Sequence, residues 1–111
     1  MSIEEVEAEL RERLAKVGRR MFQEGLTHGA SGNISARVPG IDTCTIKPSG
    51  YSFAELEPRH FIVVDINSRQ VLKGAEKPSI ETPFHTKLYR QWPGAGGVVH
   101  VHPRYSIILS I

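Results

Sequence analysis

Phe61-Ile62-Val63-Val64-Asp65, then Asn67-Ser68-Arg69, then Val71-Leu72 is the stretch that decides the fold. The first run is short, apolar and rich in β-branched residues, as a buried strand requires. The polar residues after it turn the chain back into a second strand, so the segment reads as a hairpin and its sheet as antiparallel there. Outward from the hairpin, Ile34 to Val38 and Thr43 to Ile46 read as two further strands separated by Pro39-Gly40. Further upstream, Ser2 and Glu5 have the spacing of a capping box. Ile3, Val6, Leu10, Leu14, Val17 and Met21 then recur every three or four residues, one apolar stripe on a helix of about six turns. Gly25 reads as its stop. Acidic Glu4, Glu5 and Glu7 near its start and basic Lys16, Arg19 and Arg20 near its end suit the helix dipole and read as a solvated face.

Downstream of the hairpin, Lys77-Pro78-Ser79-Ile80-Glu81 is a loop, and Thr82 or Ser79 is placed to cap a helix running to about Trp92. Phe84, Leu88 and Tyr89 supply its apolar face, Pro93-Gly94 ends it, and a strand follows from Val98 to His102. Two helices packed on a largely antiparallel sheet give an α/β fold.

The 111 residues allow one small domain with a limited core. With 40% hydrophobic and 23% charged residues the composition is that of a globular protein rather than a disordered one. The net charge of +2 is spread along the chain, which offers no basic block for nucleic acid. A single cysteine, Cys44, cannot form an internal disulfide and reads as a buried thiol. The N-terminus lacks a signal peptide's apolar core, and no apolar run approaches membrane-spanning length, so a cytoplasmic protein without membrane contact is expected. The apolar segment from Tyr105 to Ile111 needs something to cover it, which suggests the front part of a larger domain or a chain end buried against another subunit.

Two features carry chemistry. Residues i and i+2 of a strand share a face, so His100 and His102 project together. Such a pair either chelates a divalent metal, with Zn²⁺ suited to neutral imidazoles, or is two polar side chains on a solvated face. Glu81, at a loop-to-helix junction, is the best internal candidate for a third ligand. The second feature is three loops of small residues, Ser31-Gly32-Asn33, Ser49-Gly50 and Ser79-Ile80. Each alone is an ordinary turn, but together their amides and hydroxyls suit a phosphate. There is no glycine-rich nucleotide motif.

In this order these pieces resemble the class II aldolase/adducin family, which contains fuculose-phosphate aldolase and ribulose-phosphate 4-epimerase. The matching stretches are Ser31-Gly32-Asn33-Ile34-Ser35, Ile46-Lys47-Pro48-Ser49-Gly50, Lys77-Pro78-Ser79-Ile80-Glu81-Thr82-Pro83-Phe84-His85 and Val98-Val99-His100-Val101-His102-Pro103. The resemblance implies a three-layer αβα sandwich, of which residues 1–111 are the N-terminal part of a single domain truncated at its C-terminus. It implies a zinc or other divalent-metal site at His100, His102 and Glu81, with a third histidine and a catalytic tyrosine supplied by a C-terminal half that follows this chain in family members. Gly32, Asn33, Ser49, Gly50 and Ser79 match the sugar-phosphate loops, and Glu81 matches the aldolase acid/base residue. Ile80 stands where aldolases often carry a second serine. The Ile-Lys-Pro-Ser-Gly and Leu88-Tyr89-Arg90 segments look closer to the epimerases.

The activity implied is reversible carbon–carbon cleavage of a phosphorylated ketose through a metal-stabilised enediolate, in a homotetramer. The alternatives are a pentulose-5-phosphate 4-epimerase, a non-catalytic assembly domain as in adducin, or a truncated inactive chain.

Overall fold

The computed structural model describes residues 2–101; His102 and the apolar segment from Tyr105 lie outside the described residues. Helix α1 (Ile3–Gln23) is followed by strands β1 (Asn33–Ala36) and β2 (Thr43–Ile46), a short 3₁₀ turn (Pro58–His60), and strands β3 (Ile62–Asp65) and β4 (Val71–Lys73). Helix α2 (Thr82–Gln91) and strand β5 (Gly97–His100) complete it. The sheet order is β4-β3-β2-β1-β5, and every neighbouring pair is antiparallel. Strands β1 to β4 form a meander. The chain then crosses the sheet through α2, so that β5 pairs with β1, Asn33 opposite His100 and Ser35 opposite Val98.

The hairpin forms as its sequence dictates. Asp65 Oδ2 accepts the main-chain N–H groups of Asn67 and Ser68 at 3.0 and 2.7 Å, and these bonds hold its carboxyl below the usual range. Arg69 takes the left-handed conformation that completes the turn, with φ +66°.

The sheet is covered on both faces, giving three layers. On one face Leu14, Ala15 and Met21 of α1 pack with Ile34, Phe53, Leu56 and Phe61. On the other, Tyr89 and Leu88 of α2 pack with Cys44, Ile46, Ile62, Val64, Ile66 and Val98. Each large side chain fully buried in these clusters contributes about 1.5–3 kcal/mol. Cys44 is a buried thiol whose pKa burial pushes up to about 12.

The Ser2–Glu5 capping box forms in full. The buried stripe of α1 follows its apolar spacing only in part: Leu14 and Met21 are buried and Val6 and Leu10 half-buried. Ile3 and Val17 are exposed, whereas Glu7, Leu14, Ala15, Gly18 and Met21 are buried. The helix is turned so that its small residues meet Phe53, and a Cβ on Gly18 would lie 2.5 Å from that ring. Glu7 is therefore not on a solvated face. Its carboxylate takes Lys73 Nζ at 2.6 Å and ties α1 to edge strand β4.

The buried face of α2 is also more polar than its spacing suggests. Thr82, His85, Thr86 and Tyr89 are buried, and Phe84 is half exposed. The reason lies in β1. Ser35 pairs with Ile46 and Val98, both of which face α2, so the alternating positions Asn33, Ser35 and Arg37 lie under that helix. No helix among the described residues is long and apolar enough to cross a membrane.

Candidate functional site

The three small-residue loops come together. A cleft of ≈ 420 Å³ is walled by Ala30, Ser31 and Gly32 from the first loop, Lys47, Pro48, Ser49 and Gly50 from the second, and Ser79, Ile80 and Glu81 from the third. Gly32 has φ +83°, and a Cβ there would lie 2.8 Å from the His100 carbonyl oxygen, so both conformation and space require glycine. Ser79 Oγ accepts the Glu81 N–H at 3.0 Å, and its hydroxyl hydrogen remains to be donated. Ile80 projects into solvent at the rim, 94% exposed.

Asn33, expected with these loops, is buried behind them. Its Oδ1 accepts the Ile34 N–H at 2.7 Å and its Nδ2 donates to the Lys47 carbonyl at 3.4 Å.

Glu81 links the cleft to the histidines. It occupies the N-cap position of α2 but makes no capping bond, and neither Thr82 nor Ser79 holds that position. Instead the Glu81 carboxylate turns sideways, and Oε1 accepts from His100 Nδ1 at 2.7 Å. A carboxylate and an imidazole side by side are a donor set that suits Zn²⁺. Among the described residues no three His, Cys, Asp or Glu side chains gather as a metal cage, and the predicted partner His102 lies outside them.

Beneath Glu81 lies a buried polar row. His85 is fully buried, with Nε2 3.6 Å from Glu81 Oε1 and Nδ1 2.6 Å from Ser35 Oγ. Ser35 Oγ in turn is 2.7 Å from the Tyr89 hydroxyl. Burial lowers the His85 pKa to about 4 against the opposing pull of Glu81, so the ring is neutral at pH 7. Burial likewise raises Tyr89 to about 12.

Lys47 is buried at the back of the cleft, with Nζ 3.2 Å from the Ala30 carbonyl and over the Phe53 ring. Its pKa is lowered by burial, and the Glu81 carboxylate acts against that shift.

Residues 12–111 match the model of the class II aldolase and adducin N-terminal domain, nine-tenths of the sequence. The chain belongs to the class II aldolase and adducin family. A 5-methylthioribulose-1-phosphate/5-deoxyribulose-1-phosphate aldolase of Rhodospirillum rubrum is 36% identical, over 91% of this chain and 44% of its own length. A 3-oxo-tetronate 4-phosphate decarboxylase of Haemophilus influenzae is 32% identical, over 90% and 46%. An L-fuculose 1-phosphate aldolase structure superposes with TM-score 0.83 at 29% identity, over 92% of this chain and 48% of that one. The class II aldolase chain described here thus spans a little under half the length of the relatives it matches.

Within this class II aldolase domain, Lys47, Ser35, His85 and Tyr89 are the residues that reading the sequence did not single out for function. Lys47 sits inside the Ile-Lys-Pro-Ser-Gly stretch, but nothing local marks its side chain as buried. The other three carry a findable signal. Asn33, Ser35 and Arg37 alternate with Ile34, Ala36 and Val38, which in isolation reads as a solvent face. His85 and Tyr89, four residues apart on α2, form the matching polar stripe that covers it.

Proposed function

We propose that this chain is the N-terminal part of a single longer domain that acts as a metal-dependent sugar-phosphate aldolase, cleaving a phosphorylated ketose reversibly. The observation that carries the reading is the position of Glu81, which lines the cleft between the three small-residue loops and at the same time bonds His100. The relatives' names share carbon–carbon bond breaking in phosphorylated sugars, which supports the same chemistry here.

The phosphate lies against the loops of Gly32, Asn33, Ser49, Gly50 and Ser79. Lys47 supplies a cation at the back of the cleft, and the Ser79 hydroxyl donates to a phosphate oxygen while still accepting from Glu81 N–H. Asn33 holds the loops in place through Lys47 and keeps one amide hydrogen to donate. Glu81 carries the proton that the enolised fragment gains at carbon once the carbon–carbon bond has broken and the aldehyde has left. Glu81, His100 and His102 are the residues that would hold a divalent cation, Zn²⁺ in this reading, which when bound would supply Lewis-acid stabilisation of negative charge on a substrate oxygen. A pentulose-phosphate 4-epimerase would use the same cleavage and then re-add the aldehyde in rotated form. The Ile46-Lys47-Pro48-Ser49-Gly50 and Leu88-Tyr89-Arg90 segments are the features that favour this second outcome.

The test is release of aldehyde from phosphorylated ketoses by the full-length protein, with sedimentation to check the homotetramer. Stripping divalent metal is expected to abolish the activity and Zn²⁺ to restore it, and His100→Ala to lower it by roughly 10²-fold or more. Full activity after metal removal, or an unchanged rate in His100→Ala, would sink the reading.

A further inference from the structure

We infer that His85 is a positioning residue that orients the Glu81 carboxylate, with Ser35 and Tyr89 fixing which of its ring nitrogens carries the proton. The proposal rests on Glu81 being the proton-carrying group of the site. Its geometric basis is a buried row, Tyr89 Oη to Ser35 Oγ at 2.7 Å, Ser35 Oγ to His85 Nδ1 at 2.6 Å, then His85 Nε2 to Glu81 Oε1 at 3.6 Å.

The direction of that row follows from counting hydrogens. Ser35 has one hydrogen to donate and lies between two groups that each offer a lone pair. Ser35 Oγ is the acceptor in reach of the Tyr89 hydroxyl among the described residues, so Tyr89 donates to Ser35 and Ser35 donates to His85 Nδ1. A fully buried, neutral imidazole that accepts at Nδ1 carries its proton on Nε2. The opposite tautomer would set a nitrogen lone pair against a carboxylate oxygen, so the electrostatics at the other end select the same arrangement.

His85 Nε2 has no hydrogen-bond partner in the structure, yet it is buried and aimed at Glu81. At 3.6 Å the bond is not formed, and a small rotation of the carboxylate about its soft terminal torsion closes it. With His100 Nδ1 on the same oxygen, both imidazoles converge on Oε1. Oε2 is then the oxygen left to face a ligand in the cleft. The arrangement uses main-chain rigidity well, since His85 is one helical turn from Glu81 on α2, and Ser35 sits on a central strand.

The first measurement is the side-chain ¹⁵N–¹H correlation spectrum of the histidine-labelled protein. His85 is expected as the neutral Nε2–H form from pH 5.5 to 8, and Ser35→Ala is expected to release it into a mixture of tautomers. A neutral Nδ1–H form in the unsubstituted protein would overturn the inference, and so would a Ser35→Ala spectrum identical to it. The second measurement separates positioning from bulk in the full-length protein. His85→Leu is expected to lower kcat by roughly 10²-fold with KM for the sugar phosphate nearly unchanged, as a misplaced catalytic group does. His85→Gln, which can set an amide N–H near the place of Nε2, is expected to recover much of that loss. Equal losses in the two folded variants, or a KM that rises in step, would count against positioning. Glu81→Gln is assayed beside them: if it retains full activity the acid/base reading of Glu81 fails, while the tautomer spectrum still decides the arrangement around His85.

Discussion

At its C-terminal end α2 surrenders its carbonyls to Arg37, whereas at its N-terminal end the capping position is held by Glu81, whose carboxylate caps nothing. The Arg37 guanidinium reaches the carbonyls of Tyr89, Trp92 and Pro93 through Nη2 at 2.9–3.0 Å, and that of Ala95 through Nε at 2.8 Å. It also lies over the Tyr89 ring. A buried cation thus completes the bonding that a helix end lacks and complements its dipole. The opposite end leaves a buried His85 nitrogen without a hydrogen-bond partner, 3.6 Å from a carboxylate that bonds His100 instead. One helix is therefore closed where it only supports and left open where it faces the cleft. The bonds that fix the helix gather at one end, and the end that lines the cleft is left without them.

Breaking the closed end should have the largest effect on the fold. Arg37→Leu strands the buried Tyr89 carbonyl and loosens three partly buried ones, and is expected to cost about 2–3 kcal/mol in a urea titration. A cost below about 1 kcal/mol would mean that water replaces the guanidinium and that the two ends are less different than described.

Acid tests the open end. His85 has an ordinary pKa of 6.5 but is held at about 4 in the fold, so between those values the unfolded chain binds a proton that the folded one refuses. Stability is therefore present above pH 6.5 and lost as pH falls towards 4, by roughly 2–3 kcal/mol from this group. The denaturation midpoint of His85→Gln should fall less steeply over that range. A parallel fall in both proteins would show that other groups drive the acid sensitivity.

A smaller effect comes from the loop that supports the open end. Gly32→Ala must adopt a positive φ and press a Cβ against the His100 carbonyl, at a cost of about 2 kcal/mol by thermal denaturation. An unchanged melting temperature would contradict the close approach of the first loop to β5. Smallest is Ser79→Ala, which removes the acceptor for Glu81 N–H and is expected to cost about 1 kcal/mol. In the full-length protein it should also raise KM for a sugar phosphate more than it lowers kcat. A change in kcat alone would move Ser79 from the phosphate to the reaction centre.

Much of this was legible from residues alone. The hairpin at Asn67-Ser68-Arg69, the capping box of α1 and the loops that line the cleft are local features, set by turn chemistry and short-range periodicity. What escaped is non-local. Glu7 looks like a surface charge until Lys73 is brought to it, and Arg37 looks like the end of a solvated strand until α2 lays its last turn across it. The polar row Ser35–His85–Tyr89 is illegible for the same reason, since polar alternation on a strand means solvent only if no helix covers that face.

The pairing of Asn33 with His100 sets an order in time. The meander from β1 to β4 can assemble from neighbours in sequence, and the walls of the cleft at Gly32, Lys47 and Ser49 come with it. The Glu81–His100 contact cannot, because β5 must travel past three strands and a helix to reach the open edge of β1. Closing that long loop is the slow, high-contact-order step of the topology. A nascent chain that has not yet released β5 can therefore pair β1 to β4, and the Glu81 carboxylate meets His100 last.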